Sequence, residues 1–150
     1  MEITSPLAGI TTPLGEVPDP VFAGGIVGPG IAITPPDGSA IRVLAPLSGR
    51  ISKLHPHAFV ITTDQDLSVL VHLGIDTVVL RGRGFDLHAQ EGQQLEVGQP
   101  VVTWDLEVTK EAGLSPVVPI IVLAGATSQP EILHHPGTPV TTGTPLLRLG

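Results

Sequence analysis

The sequence predicts an all-β domain, an antiparallel hybrid of β-sandwich and barrel with an internal pseudo-repeat and at most short peripheral helices. Three observations predict it. Eighteen glycines and sixteen prolines interrupt the 150 residues, yet only 14% of positions are charged and the mean hydropathy is +0.36, so the segments between the breakers are built for burial and not for disorder. Those segments are short and rich in β-branched residues, the composition of strands. Two motifs also recur: Ser5-Pro6-Leu7-Ala8-Gly9 returns as Ala45-Pro46-Leu47-Ser48-Gly49, and GQQLEVGQPVV from Gly92 to Val102 returns as GTPVTTGTPLL from Gly137 to Leu147.

Taken in order, strands are expected near Ile41 to Leu44, Arg50 to Leu54, Phe59 to Thr63, Val69 to Leu73, Thr77 to Leu80, Val101 to Trp104 and Val117 to Leu123. Gly98-Gln99-Pro100 and Gly143-Thr144-Pro145 occupy equivalent places in the longer echo, each a turn feeding an apolar strand. Two copies are too few for a repeat array, so the echo implies pseudo-symmetry within one unit. Strands this short close into a sandwich or barrel so that few edges stay unpaired. One helix is expected, over Leu106 to Ala112, capped by Asp105 and ended by Gly113. The length suits a single domain over residues 1–150.

Composition also removes classes of function. The net charge is -7, with two lysines, Lys53 and Lys110, and five arginines; no basic stripe is available for a nucleic-acid backbone. An acidic surface favours encounter with a basic protein partner. The absence of cysteine rules out disulfides and thiolate metal sites and makes the cytoplasm the expected compartment. The longest apolar stretch, Val117 to Ala126, is about half of the ~20 residues that span a bilayer and contains Pro119. The N-terminus lacks the basic and apolar regions of a signal peptide, and no membrane insertion is expected.

Six histidines remain to be explained. His57 and His72 lie in apolar strand contexts, where a polar ring requires a reason. In Val69-Leu70-Val71-His72-Leu73-Gly74, alternation turns His72 away from the face of Val71 and Leu73 and toward a shallow apolar depression. His57 starts the preceding strand, and a turn at Thr63 to Asp66 makes the two strands antiparallel neighbours, which brings the rings together. A buried, hydrogen-bonded core histidine is the ordinary reading of either ring alone; the pair points to a site.

The motifs HAF at His57 to Phe59, VHLGIDTV at Val71 to Val78, GRGF at Gly82 to Phe85 and VPDPVF at Val17 to Phe22, with the glycine turn of Ile26 to Ile33, resemble enzyme IIA of the glucose family of the bacterial sugar phosphotransferase system. The resemblance runs from Ser5 to the C-terminus. It implies a phosphocarrier in which His72 takes a phosphoryl group from the phosphohistidine of HPr, as tele-phosphohistidine, and passes it to a cysteine of the IIB domain of a sugar transporter, with no cofactor or required metal. A neutral imidazole suits that task, because it is nucleophilic at neutral pH and forms a labile N–P bond. His57 is expected to steady the phosphoryl oxygens. Asp19 and Asp76 are expected to orient HPr, and Phe22, Ile26, Val27 and Phe59 to form an apolar collar that excludes water. Core packing serves equally for Phe59.

The match departs at one position. Enteric relatives place a threonine two residues before the stabilising histidine, its hydroxyl linked to that ring; here His55 stands there. It is left with two roles, donation from a ring nitrogen or a place on the rim, while Pro56 stiffens the strand entry. His88, His134 and His135 have no counterpart and read as solvated surface. The resemblance also implies binding to regulated transporters or kinases and permits a zinc ion shared by His57, His72 and a partner carboxylate; the absence of a Pro/Ser-rich leader or membrane segment suggests a free-standing chain, although a piece of a larger fused transporter would read the same way. The rival reading is a zinc hydrolase using His55, His57, His72 and Asp76, although its H-x-H and H-x-x-x-D motifs stand in reverse order. A biotin or lipoyl carrier domain, which the Pro-Leu-x-Gly echoes suggest, is a second rival, but neither Lys53 nor Lys110 sits at a plausible hairpin tip to serve as its acceptor.

Overall fold

The computed structural model describes residues 1–124 and 129–149. Its strands are β1 (Glu2–Thr4), β2 (Gly9–Thr12), β3 (Gly30–Thr34), β4 (Ala40–Leu44), β5 (Gly49–His55), β6 (Ala58–Thr62), β7 (Ser68–His72), β8 (Phe85–Leu87), β9 (Gln94–Leu95), β10 (Pro100–Asp105), β11 (Val118–Ala124), β12 (Glu131–Ile132), β13 (Pro139–Val140) and β14 (Pro145–Arg148). The helices are α1 (Pro20–Ala23) and α2 (Leu106–Glu111). An eight-stranded antiparallel sheet in the order β13-β2-β3-β11-β7-β6-β5-β9 is joined by two three-stranded sheets, β1-β14-β12 and β4-β10-β8. Their inward residues share one core that runs from Ile3 and Leu147 through Val43, Phe59 and Val71 to Trp104. The all-β expectation holds. Among the described residues no helix is long and apolar enough to cross a membrane; the last two residues of the Val117 to Ala126 stretch lie outside them.

The internal echoes are a structural two-fold. Thr4 N–H donates to the Pro46 carbonyl and Leu44 N–H to that of Pro6, each at 2.9 Å. Ser5 N–H reaches Thr144 O, and Ala45 N–H reaches Gln99 O, both at 2.8 Å. Gly9 and Gly49 are matched as well: a Cβ on either would run into the backbone of the neighbouring strand, at Thr34 and Thr62 respectively. The axis passes between β7 and β11, where Val71 faces Ile120. Through their partners on β6 and β3, Val69 corresponds to Val118 and His72 therefore to Ile121.

The halves differ in their connectors. The β5–β6 hairpin turns in two residues, Pro56 and His57, whereas the β2–β3 connection spans residues 13–29 and carries α1. That longer segment folds over the sheet face opposite the main core, and Val17, Phe22, Ala32, Ile75, Val117 and Ile121 form a second apolar cluster beneath it.

The helix over Leu106–Glu111 forms as the sequence requires. Asp105 accepts from the Glu107 N–H at 3.1 Å, and Gly113 adopts a φ of +76° just past its end. The strand expected at Thr77 to Leu80 does not form; this segment is a 3-10 turn. Gly74 at φ +80° and Asp76 at φ +60° reverse the chain before it, and the buried Thr77 hydroxyl donates back to the Leu73 carbonyl at 2.7 Å. Backbone closure at the end of β7 thus overrides the strand preference of Thr-Val-Val-Leu.

Candidate functional site

β6 and β7 pair in antiparallel register, Ala58 opposite His72 and Phe59 opposite Val71. The Leu73 N–H donates to the His57 carbonyl at 2.7 Å, carrying the pairing one step beyond the strands. The sequence expectation that these strands bring His57 and His72 together is met in the geometry. Their ring centroids are 5.2 Å apart, at an interplanar angle of 77°.

His72 sits half-buried at the end of β7. Its Nδ1 lies 2.6 Å from the Gly74 carbonyl oxygen, and since a carbonyl only accepts, Nδ1 carries the proton and Nε2 keeps its lone pair. Burial pulls the His72 pKa below its ordinary value, while the Gly74 hydrogen bond and the charges of Asp19 and Asp76 act the other way. His57, half-buried at the hairpin tip, is pushed down from its ordinary 6.5 to about 4, first by burial and then by the neighbouring rings of His72 and His55. His57 is therefore neutral at neutral pH, and burial favours the neutral form of His72 as well.

Phe22 closes one side. It is buried and its ring centroid is 5.2 Å from that of His72. The chain presents it there because Asp19 caps α1, its Oδ1 accepting from the Val21 N–H at 2.9 Å, with Pro20 preset in the first turn. Asp19 is therefore a structural cap as well as a charge near the site.

The other candidates separate. Ile26 is 77% exposed and Val27 is half-buried against the cluster that holds Phe22, so both suit a collar. Phe59 does not: at 1% exposure it belongs to the main core, because alternation along β6 sends it to the face opposite the site. Asp76 is exposed beside the site loop. His55 is exposed, and it makes no hydrogen bond to His57 among the described residues. Its ring instead stacks on that of His57 at 5.8 Å and 28°.

Sequence reasoning missed Val78 and Val79, which are 61% and 65% exposed on the turn that was expected to be a strand. It also passed over the Gly74 carbonyl. A leftover N–H on a partly buried imidazole, two residues from a glycine, was the available signal for it. His134, expected to be solvated, is half-buried and donates from Nε2 to the Pro145 carbonyl at 2.7 Å.

The hydrolase reading is not supported. Among the described residues no three His, Asp or Glu side chains come together in an arrangement that could hold a metal, and His57 and His72 alone leave such an ion short of protein ligands.

Residues 1–127 match the profile of the family described as phosphoenolpyruvate-dependent sugar phosphotransferase system, EIIA 1. The structure is similar to glucose permease IIA from Mycoplasma capricolum, with a TM-score of 0.88 and 33% identity, over 98% of this chain and 94% of that one. The chain therefore belongs to the EIIA 1 family of the phosphoenolpyruvate-dependent sugar phosphotransferase system, as a phosphocarrier component of it.

Proposed function

We propose that residues 1–150 act as one EIIA domain in which His72 Nε2 accepts a phosphoryl group from the phosphohistidine of HPr and yields it to the cysteine of a transporter IIB domain. The observation that carries this is the 2.6 Å contact of His72 Nδ1 with the Gly74 carbonyl, which places the proton on Nδ1 and leaves the Nε2 lone pair for the phosphoryl group. In the first step the Nε2 lone pair forms the new N–P bond as the donor's N–P bond breaks. In the second the IIB thiolate forms an S–P bond as this one breaks. No proton needs to leave His72, so the reaction asks chiefly for alignment and for stabilised oxygens.

His57 supports that need. A neutral imidazole 5.2 Å away offers one N–H to a phosphoryl oxygen without adding a full charge that would hold the phosphate too tightly. Phe22 limits water beside the labile bond, and Ile26, Val27, Val78 and Val79 give both partners an apolar surface.

The test is incubation with phosphoenolpyruvate, enzyme I and HPr, followed by intact mass and phosphosite mapping. One acid-labile phosphate should form on the parent and none on His72→Gln. His57→Gln should accept phosphate and pass it on at least tenfold more slowly. Phosphate on His72→Gln at the parent's level would end this reading.

A further inference from the structure

Four rings stand in succession across the site: Phe22 against His72 at 5.2 Å, His72 against His57 at 5.2 Å, and His57 against His55 at 5.8 Å. The last has no part in the chemistry described above. We propose that His55 is a positioning residue for phosphoryl transfer: stacked on His57, it fixes the angle at which that ring meets the phosphoryl group on His72. The proposal rests on His72 being the acceptor and His57 its oxygen-stabilising neighbour.

The backbone of His57 is well held and its ring is not. Its carbonyl accepts from Leu73, and Pro56 fixes φ at the first corner of the two-residue tip. Pro56 lies beside Gly82, where an added Cβ would stand 3.5 Å from Pro56 Cγ, at ordinary contact distance. Yet among the described residues the His57 ring makes no hydrogen bond. The outer torsion of a histidine is broad and roughly two-fold, so without a hydrogen bond the ring plane is set by what packs against it. His72 meets it nearly at right angles and His55 lies nearly parallel to it. Removing His55 leaves one wall where there were two.

The side chain of His55 itself makes no hydrogen bond or ion pair among the described residues. It is exposed, ends β5 opposite Ala58, and belongs to neither apolar cluster. A surface ring free to extend into water rests instead on its neighbour. The adjoining chain is also secured, since the Leu54 N–H donates to Glu91 Oε1 at 3.1 Å. His55 further helps to keep His57 uncharged, which preserves a ring with one donor and one acceptor. The stack therefore serves orientation and leaves the donor free for the phosphoryl oxygen.

The experiment compares the parent with His55→Ala, which removes the ring, and His55→Phe, which keeps the stack and removes both nitrogens. Each is phosphorylated through HPr, the phosphate on His72 is quantified, and transfer to a purified IIB domain is followed by rapid quench over a range of IIB concentrations. An aromatic pair of this kind corresponds to roughly three- to tenfold in rate. His55→Ala should lose that factor in kcat with KM within twofold of the parent, and His55→Phe should recover it. Transfer by His55→Ala within twofold of the parent overturns the proposal, as does a His55→Phe variant as slow as His55→Ala. A parent that takes up no phosphate on His72 overturns the carrier reading, and this proposal with it; uptake with unchanged transfer overturns this proposal alone.

Discussion

Gly74→Ala tests the claim that the loop after β7 holds His72 by its ring nitrogen. Gly74 has φ +80°, and a Cβ there would lie 2.6 Å from Thr77 Cγ2 and 3.0 Å from the Ser115 carbonyl oxygen. Neither neighbour gives way easily. Ser115 O also accepts from the Ile75 N–H at 2.9 Å, and Thr77 is buried with its hydroxyl tied to Leu73. The left-handed backbone costs an alanine about 1–2 kcal/mol, and overpacking of a fixed environment adds about 1–3 kcal/mol. Gly92→Ala is the control, since Gly92 has φ +91° and nothing within 4 Å of the added Cβ; it should show the backbone cost alone. Urea unfolding with matched m-values measures both. Gly74→Ala should be less stable than Gly92→Ala by about 1–3 kcal/mol, and nitrogen-15 spectra of its His72 should show the Nδ1 proton no longer fixed. Equal stability of the two variants, with the His72 tautomer unchanged, would refute the reasoning.

Three further outcomes are expected. Below pH 6.5 the unfolded chain protonates His57, whereas the folded chain resists until about 4; the unfolded state binds more protons in that window, so stability falls as pH drops from 6.5 toward 4 and then levels with respect to this group. His57→Gln should flatten that slope in denaturation curves taken at successive pH values. Val79→Asp, at a 65% exposed position, should change stability by no more than about 0.5 kcal/mol and weaken binding of HPr by at least tenfold in calorimetry; equal binding would remove Val79 from the docking surface. Thr109→Val takes away the oxygen that accepts from the buried Trp104 indole N–H at 2.9 Å and should cost about 1–3 kcal/mol of unfolding free energy.

The strands that build the site were legible because their signals are local and agree. Ala58 to Thr62 and Ser68 to His72 are runs of β-branched and apolar residues joined by a turn in which Thr63 Oγ1 accepts from the Leu67 N–H, so pairing of His57 with His72 followed from alternation and adjacency. The capped helix at Leu106 was legible for the same reason. Thr77 to Leu80 was not, since its path is dictated by the left-handed residues before it and by a side chain that bonds backward to Leu73. Phe59 was ambiguous because HAF places it one residue from the tip of a hairpin, where only the register shows which face it takes. The role of Phe22 depended on a connection that folds across the sheet, and nothing in Val17 to Phe22 alone states what lies beneath it. The two-fold was visible as an echo, but its reciprocal hydrogen bonds join residues about forty positions or more apart.

The two unlike connectors also determine where this chain is free to vary. The halves brace one another through the reciprocal bonds at Pro6 and Pro46, whereas the long bridge across residues 13–29 adds a second apolar cluster through Val17 and Phe22. Strand pairing and the presentation of the histidine and phenylalanine rings are thus carried by different parts of the chain. The histidine at 55, an exposed residue on the rim of the shorter connector, stands where a change of side chain need not disturb the strand pairing beneath it.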